Sequence, residues 1–555
     1  MKYYTQPTLS LTSFIIFCFL SFSLSAQFVP SAPYALKREM RGVWIASVLN
    51  IDYPPGPSPD DNFLRDTWIR LIDNHKALGI NTLFVQIRPT SDALYPSKLV
   101  PWSRYLTGQS GLAPYNGYDP LEFMIQTAHD RGMEFHAWLN PYRASMDGQT
   151  GASFAPNHVL NTHPEWCFLY NKKYIMNPGI PEVRTHIRDV VKEIITRYNV
   201  DGIHFDDYFY PYKEGNQEIN DYQTFQQYQA GFSSIDDWRR NNVDLLISDL
   251  SQTIRLLKPR VQFGISPFGI WRNNNRDPEG SDTRGGSSYD GLYADVRKWL
   301  RSDWIDYVVP QVYWTIGFPV ADHEKIMRWW SDNASGKNVY AGLGTYRVGQ
   351  GGSKDPAWNN PNEIPRQIRL SRSLPNVSGA VHFSSKSLIN NALGVGDSLK
   401  YNYYATPAIP PEGRKDNSLL ICDPPEVRAI TSEADGRVAI RWQPNTTTLK
   451  KRPFQYLVYR FKNGQIDFTN GHNIIGIMPH NSKEYVFYDL KPETTNLYAV
   501  SVSDCQNRES LPSELLTIDK QPLPQSPILS PPSKTKAPRK HIGWFKSFFR
   551  RVFGH

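Results

Sequence analysis

Two aspartates stand side by side at the end of a short apolar run, in "DGIHFDDYFYP", residues 201–211. Neighbouring carboxylates oppose each other's ionisation, so their pKa values separate and one can hold a proton while the other stays charged. A general acid and an anionic partner need that division of labour. Asp206 and Asp207 are therefore the candidate catalytic pair. The bland alternative is one carboxylate that caps a turn beside another that binds an arginine.

Aromatic and amide side chains close other apolar runs. Trp138, Asn140, Tyr142 and Arg143 lie in "FHAWLNPYR", Trp271 in "SPFGIWRNNN", and Gln311, Tyr313 and Trp314 in "VVPQVYW". With Arg88, His204 and Tyr208 they form a candidate substrate-binding set. Aromatic planes mixed with amides suit a polyhydroxylated ligand, which has apolar C–H faces and hydroxyl rims. Three other chemistries stay open. Asp206 or Asp207 could pair with a loop acid such as Asp92, Glu279 or Asp282. His136, His204, Asp206 and His382 could serve a metal-dependent hydrolase, although no tight ligand motif such as His-x-His occurs, so neither a metal nor another cofactor is expected. A barrel that binds glycan without cutting it is the third.

The elements that must position these residues recur along residues 38–390. Short β-branched and aromatic runs ("REMRGVWIAS", "INTLFVQIR", "MEFHAWLN", "VDGIHFDD", "VQFGIS", "IDYVVPQVYW", "NVYAGLG", "VSGAVHFSS") alternate with helical patterns such as "DPLEFMIQTAHDRG" and "PEVRTHIRDVVKEIITRYN". Eight strands in βα alternation predict an α/β fold, a (β/α)₈ TIM barrel over residues 36–405. In such a barrel chemistry gathers at the C-terminal strand ends. Asp201 and Asp306 open their strands and read as structural. Gln86, Arg88, Asn140, Asp206, Asp207, Gln311, Tyr313 and Ser384 close theirs. Alternation along "GIHFD" turns His204 and Asp206 into the barrel and Ile203 and Phe205 towards the helices.

Residues 1–26 have a signal-peptide pattern, with one lysine, a short apolar core and small residues before a cut after Ala26. After a Pro-rich linker (406–423), residues 424–520 read as a small all-β sandwich with Trp442 in its core. Its "YDLKPETTNLYAVSV" resembles a fibronectin type III module. Cys422 and Cys505 bracket this module, and a disulfide and two thiols are both open. Residues 521–540 read as a disordered Pro-rich basic linker, and 541–555 as a basic amphipathic helix suited to a membrane surface or a protein partner. The net charge of +8 does not signal nucleic acid. Seven basic and no acidic residues fall in 521–555, Lys2 adds one more, and residues 27–520 are neutral.

The barrel motifs together resemble the glycosyl-hydrolase-like family 10 proteins of bacteria. The resemblance rests on "REMRGVWIAS", "INTLFVQIRPTSDALYPS", "GMEFHAWLNPYR", "VDGIHFDDYFYP", "GISPFGIWRN" and "DYVVPQVYW". It implies a (β/α)₈ fold, export to the periplasm or cell envelope, and a glycan substrate, namely peptidoglycan strands freed of peptide. The fourth-strand motif is also similar to that of glycoside hydrolase family 18, with an aspartate at Asp206 but Tyr208 where that family's catalytic glutamate falls. An adjacent acidic pair is similar to families 20 and 84, in which the substrate's acetamido group attacks. That likeness implies that Asp206 orients the acetamide and Asp207 is general acid and base, or the reverse. Tyr313 would then bind the acetamide carbonyl.

Overall fold

The computed structural model describes residues 35–148, 153–414, 422–445, 453–493 and 495–518. The signal-peptide pattern, the segment 521–540 and the basic helix 541–555 lie outside the described residues. No described helix is long and apolar enough to cross a membrane.

Eight parallel strands close a barrel: β1 (Met40–Ile45), β2 (Thr82–Arg88), β3 (Glu134–Leu139), β4 (Gly202–Phe205), β5 (Gln262–Ile265), a broken β6 (Tyr307–Val308 and Gln311–Val312), β7 (Asn338–Leu343) and β8 (Val377–His382). Closure comes from β8, which pairs with both β7 and β1. Pro310 separates the halves of β6. It has no N–H to give the ladder, and its carbonyl accepts from Gly342 N at 3.0 Å. Each expected strand is present. The helices begin where short polar residues satisfy their first N–H groups. Asp119 accepts from Glu122 N at 3.3 Å ahead of the helix Pro120–His129, and Pro181 opens the helix Pro181–Arg197.

Alternation divides the core in two. Val43, Leu83, Phe135, Ile203, Phe205 and Phe263 join the layer between strands and helices, whereas Trp44, Phe84, Trp138, Tyr307, Tyr340 and Val381 fill the barrel interior. At two of the inward glycines large rings occupy the space a side chain would need. A Cβ on Gly202 would lie 2.3 Å from His136 Nδ1, and one on Gly264 would lie 2.1 Å from the Tyr307 ring. Gly264→Ala should therefore cost about 1–3 kcal/mol through overpacking. Thermal unfolding of the variant checks this, and an unchanged transition would contradict it.

The barrel base is held by the acids that open strands. Asp201 accepts from His129 Nε2 and from Phe135 N, both at 2.8 Å, and Asp306 accepts from Phe263 N at 2.8 Å and Arg414 Nε at 2.9 Å. The described part of the linker is not loose. Ile409 exchanges backbone hydrogen bonds with Lys37 and Glu39 at 3.1 and 2.9 Å. Six strands follow: β9 (Glu426–Ser432), β10 (Val438–Gln443), β11 (Pro453–Phe461), β12 (Ile474–Pro479), β13 (Val486–Asp489) and β14 (Leu497–Asp504). They form two antiparallel sheets, β9-β10-β13 and β12-β11-β14, around Trp442, Tyr456 and Tyr498. Cys422 and Cys505 are both thiols. This all-β unit sits at the barrel base, where Asn507 Nδ2 donates to Glu134 Oε1 at 2.6 Å and Lys37 pairs with Glu509 at 2.5 Å.

Candidate active site

A cavity of about 380 Å³ opens at the C-terminal mouth of the barrel. Its lining includes Trp44, Gln86, Trp138, Arg143, Asp206, Asp207, Tyr208, Ser266, Gln311, Tyr313, Tyr346 and Phe383. Size and composition suit a small ligand held by aromatic faces and a few polar groups. Asp206 and Asp207 are its only carboxylates among the described residues.

The two aspartates diverge because both lie just past the end of β4, where the chain leaves the strand. Asp206 keeps the inward parity of β4 and turns to the β3 side, where Trp138 Nε1 donates to it at 3.1 Å and Asn140 Nδ2 donates to the same oxygen. Its other oxygen accepts from Tyr208 N at 3.3 Å. Asp207 turns to the β6 side, accepting from Gln311 Nε2 at 3.0 Å and from the Tyr212 hydroxyl. Asn140 can offer only its amide nitrogen to Asp206, because its oxygen accepts from Gln86 Nε2 and Arg143 Nη2. Gln86 is oriented in turn by Ser47 N and Val48 N at 3.0 and 2.9 Å.

Electrostatics separates the pair further. Burial pushes Asp206 up to about 7; Arg143 opposes the rise and the charge of Asp207 adds to it. Burial raises Asp207 too, against the hydrogen bonds from Tyr212 and Gln311. Both carboxyls are thus displaced upward, Asp206 with the charge of its neighbour as an added cause. Burial first, then the charge of Asp207, hold Tyr313 well above its ordinary pKa, and Asp206 contributes less. Asp207 is thus the aspartate that acts more strongly on Tyr313.

Residues 39–360 match the family Glycosyl hydrolase-like 10. The chain belongs to this family. Glycosyl hydrolase YngK of Bacillus subtilis (strain 168) is 39% identical over 511 residues, spanning 90% of this chain and 98% of the relative. Glycosyl hydrolase DigH of Escherichia coli (strain K12) is 39% identical over 374 residues, 64% of this chain and 84% of the relative. Among solved structures, the glycoside hydrolase domain of PgaB (BpsB) from Bordetella bronchiseptica is similar at a TM-score of 0.43 and 13% identity, over 65% of this chain and 98% of that one. Family and relatives support a glycan-acting enzyme of the glycoside hydrolase class.

In this glycosyl hydrolase-like 10 chain, seven of the thirteen candidate residues gather at the mouth: Asp206, Asp207, Trp138, Arg143, Tyr208, Gln311 and Tyr313 line the cavity. Asn140 stands directly behind Asp206. The other five do not line it. Arg88 is buried and donates to the carbonyls of Asn140 and Pro141 at 2.7 and 3.2 Å, so it shapes the loop after β3. Tyr142 shares the inward parity of Trp138 and Asn140 but lies past the end of β3, and it turns into the strand–helix core. Trp271 stacks on Trp329 with centroids 5.5 Å apart and donates to Asp295. Trp314 packs edge-on against Phe268, beside the cavity.

His204 lies one layer below the mouth, with both nitrogens engaged. Trp44 Nε1 can only donate, so His204 Nε2 accepts from it at 3.2 Å, and the ring proton sits on Nδ1 and is donated to the Tyr307 oxygen at 3.2 Å. The Tyr307 hydroxyl then donates to His136 Nδ1 at 2.8 Å, and His136 Nε2 donates to Glu134 at 3.3 Å. A buried hydrogen-bond chain thus runs the height of the barrel. Burial holds His204 well below its ordinary pKa, hence neutral. His382 is bonded to Thr345 Oγ1 at 3.0 Å and the Tyr404 hydroxyl at 3.1 Å. The metal-ligand candidates therefore do not converge, and no cluster of three or more His, Cys, Asp or Glu that could hold a metal occurs among the described residues.

The loop acids are also elsewhere. Asp92 caps the turn at Thr90, Glu279 pairs with Arg297 at 2.5 Å, and Asp282 pairs with Lys325 at 2.6 Å. Sequence reasoning passed over Trp44, Tyr212, Ser266, Tyr346 and Phe383. Trp44 was within reach, since it has the inward parity near the end of β1. Tyr212, Tyr346 and Phe383 lie beyond strand ends, where no periodicity reports direction.

Proposed function

We propose that this protein hydrolyses glycosidic bonds in N-acetylated amino-sugar glycans of the cell envelope, with peptide-free peptidoglycan strands as substrate, by substrate-assisted catalysis. The observation that carries the reading is the paired aspartates, alone as acids among the described residues in a cavity that Tyr313 also lines, with Asp206 pushed up to about 7. The acetamido oxygen attacks the anomeric carbon as the glycosidic C–O bond breaks, and Asp206 gives its proton to the departing oxygen. Asp207 accepts the acetamide N–H and Tyr313 donates to its carbonyl oxygen. Water then opens the oxazolinium ring and returns a proton to Asp206. This reverses the first assignment drawn from the sequence. Both carboxyls are buried; burial and the charge of Asp207 push Asp206 up to about 7, which suits a proton donor, and the Tyr212 and Gln311 donors that oppose the rise at Asp207 suit an anion.

The signal-peptide pattern supports export to the periplasm or cell envelope. The fibronectin type III likeness of the all-β unit supports a spacer or docking role, and the basic segment 541–555 supports attachment to an anionic membrane surface or a protein. Incubation with peptide-free strands and with chitooligosaccharides, followed by mass spectrometry, tests the activity. Shortened amino-sugar oligomers are the expected products, and intact glycan after prolonged incubation with folded enzyme would refute the reading.

A further inference from the structure

A second cavity of about 200 Å³ adjoins the first and shares Arg143, Met146 and Tyr208 with it. Its far wall is a hairpin of Cys167–Tyr170 and Lys173–Met176, turned through Asn171 and Lys172 with φ of 42° and 59°. Two left-handed residues in a two-residue turn give the tight, twisted hairpin that antiparallel strands favour. The hairpin is tied to the loop after β3, since Ala144 N donates to Tyr174 O at 2.9 Å and Met176 N donates to Tyr142 O at 2.7 Å. Its position relative to the aspartates is therefore set by backbone hydrogen bonds.

Charge in this cavity is incompletely matched. Arg143 gives Nε to Pro89 O and Nη2 to Asn140 Oδ1, neutral acceptors that fix its orientation and leave its positive charge in the wall. Lys173 lines the cavity half-buried, and no carboxylate lies within 4 Å of its ammonium among the described residues. Glu214, also in the lining, is fixed through its own N–H to the Tyr170 hydroxyl at 2.9 Å and does not pair with Lys173. A half-buried ammonium without a counter-ion gains most from an anionic ligand group that it can both neutralise and hydrogen-bond. Tyr208, 41% exposed between the two cavities, offers a ring face along which a glycan can pass from one to the other.

We propose that the hairpin cavity is a second sugar subsite, and that Lys173 makes it selective for a ring bearing a carboxylate. The inference rests on the glycan-hydrolase reading of the adjoining aspartate cavity. N-acetylmuramic acid, with its lactyl carboxylate, is such a ring, and Lys173 is then a specificity-determining residue.

Calorimetric binding and initial rates on three glycans test it: peptide-free peptidoglycan strands, the same strands with carboxylates reduced to alcohols, and chitohexaose. Lys173→Ala should weaken binding of the unreduced strands and raise their KM about tenfold, the worth of one charge-assisted hydrogen bond. It should leave kcat and both neutral glycans unchanged. Lys173→Arg should retain the preference and Lys173→Glu should invert it. Equal affinity of the wild type for native and reduced strands, or equal losses by Lys173→Ala on all three glycans, would overturn the subsite. Lys173-dependent binding without cleavage of any glycan would uphold the subsite and reject the hydrolase reading.

Discussion

Asp206→Asn lowers kcat on peptide-free strands by about 10³-fold, within the range that general acid–base catalysis supplies, and a leaving group that needs no proton restores most of it. The expectation follows from burial. Asp206 is held between Trp138 and Asn140 with its pKa pushed up to about 7, so a proton stays on it up to about neutral pH. A dinitrophenyl N-acetylglucosaminide expels dinitrophenolate, which needs no proton, so its cleavage by Asp206→Asn should approach the wild-type rate in the first step. Asp207→Asn should lose comparably on both substrates, because the anion at the acetamide is needed whatever the leaving group. The opposite pattern would exchange the two roles. If both variants cut natural strands as fast as the wild type, neither aspartate is catalytic.

The pH profile carries the same signs. Activity falls as pH rises through about 7, where Asp206 loses its proton, and falls on the acid side as Asp207 gains one. The acid limb lies above the ordinary carboxylate range because burial raises Asp207 as well. In Asp207→Asn the neighbouring charge that lifts Asp206 is gone, so the alkaline limb of the residual activity should move to lower pH. An alkaline limb that stays put would mean that Asp207 does not lift Asp206.

Removing the acetamido group from the substrate has the second large effect. A glycan carrying a free amine or hydroxyl at that position should turn over at least about 10³-fold more slowly, since the internal nucleophile and the electrostatic partners built for it are lost together. The physical ground is the absence of a third acid. Asp92, Glu279 and Asp282 are engaged elsewhere and Glu214 lines the adjoining cavity, so among the described residues no third carboxylate lines the aspartate cavity itself. A thiazoline that mimics the oxazolinium should compete with substrate, and Tyr313→Phe should cost about 10²–10³-fold in kcat as one lost oxyanion donor. Trapping a covalent glycosyl ester on either aspartate, or undiminished cleavage of deacetylated chains, would replace this mechanism with direct double displacement.

Much of this molecule is legible along the chain. Period-two alternation places Ile203 and Phe205 against helices and His204 and Asp206 inside the barrel, because a strand can satisfy two faces in only one way. Direction along the barrel axis follows as well, so Asp201 and Asp306 sit at the base and the aspartate pair at the mouth. Parity stops reporting where the strand stops. It could not show that Tyr142 turns into the core, that Trp271 stacks on Trp329, or that Tyr212 reaches back to Asp207. Nor does it measure depth: His204 and Asp206 share a face, yet one is locked into a buried hydrogen-bond chain and the other meets the cavity. The sequence by itself determined the barrel, its two ends and the doubled acid. Only the tertiary structure decided which rings form the cavity and which donors surround each aspartate, because loop direction and desolvation are set by neighbours distant in the chain.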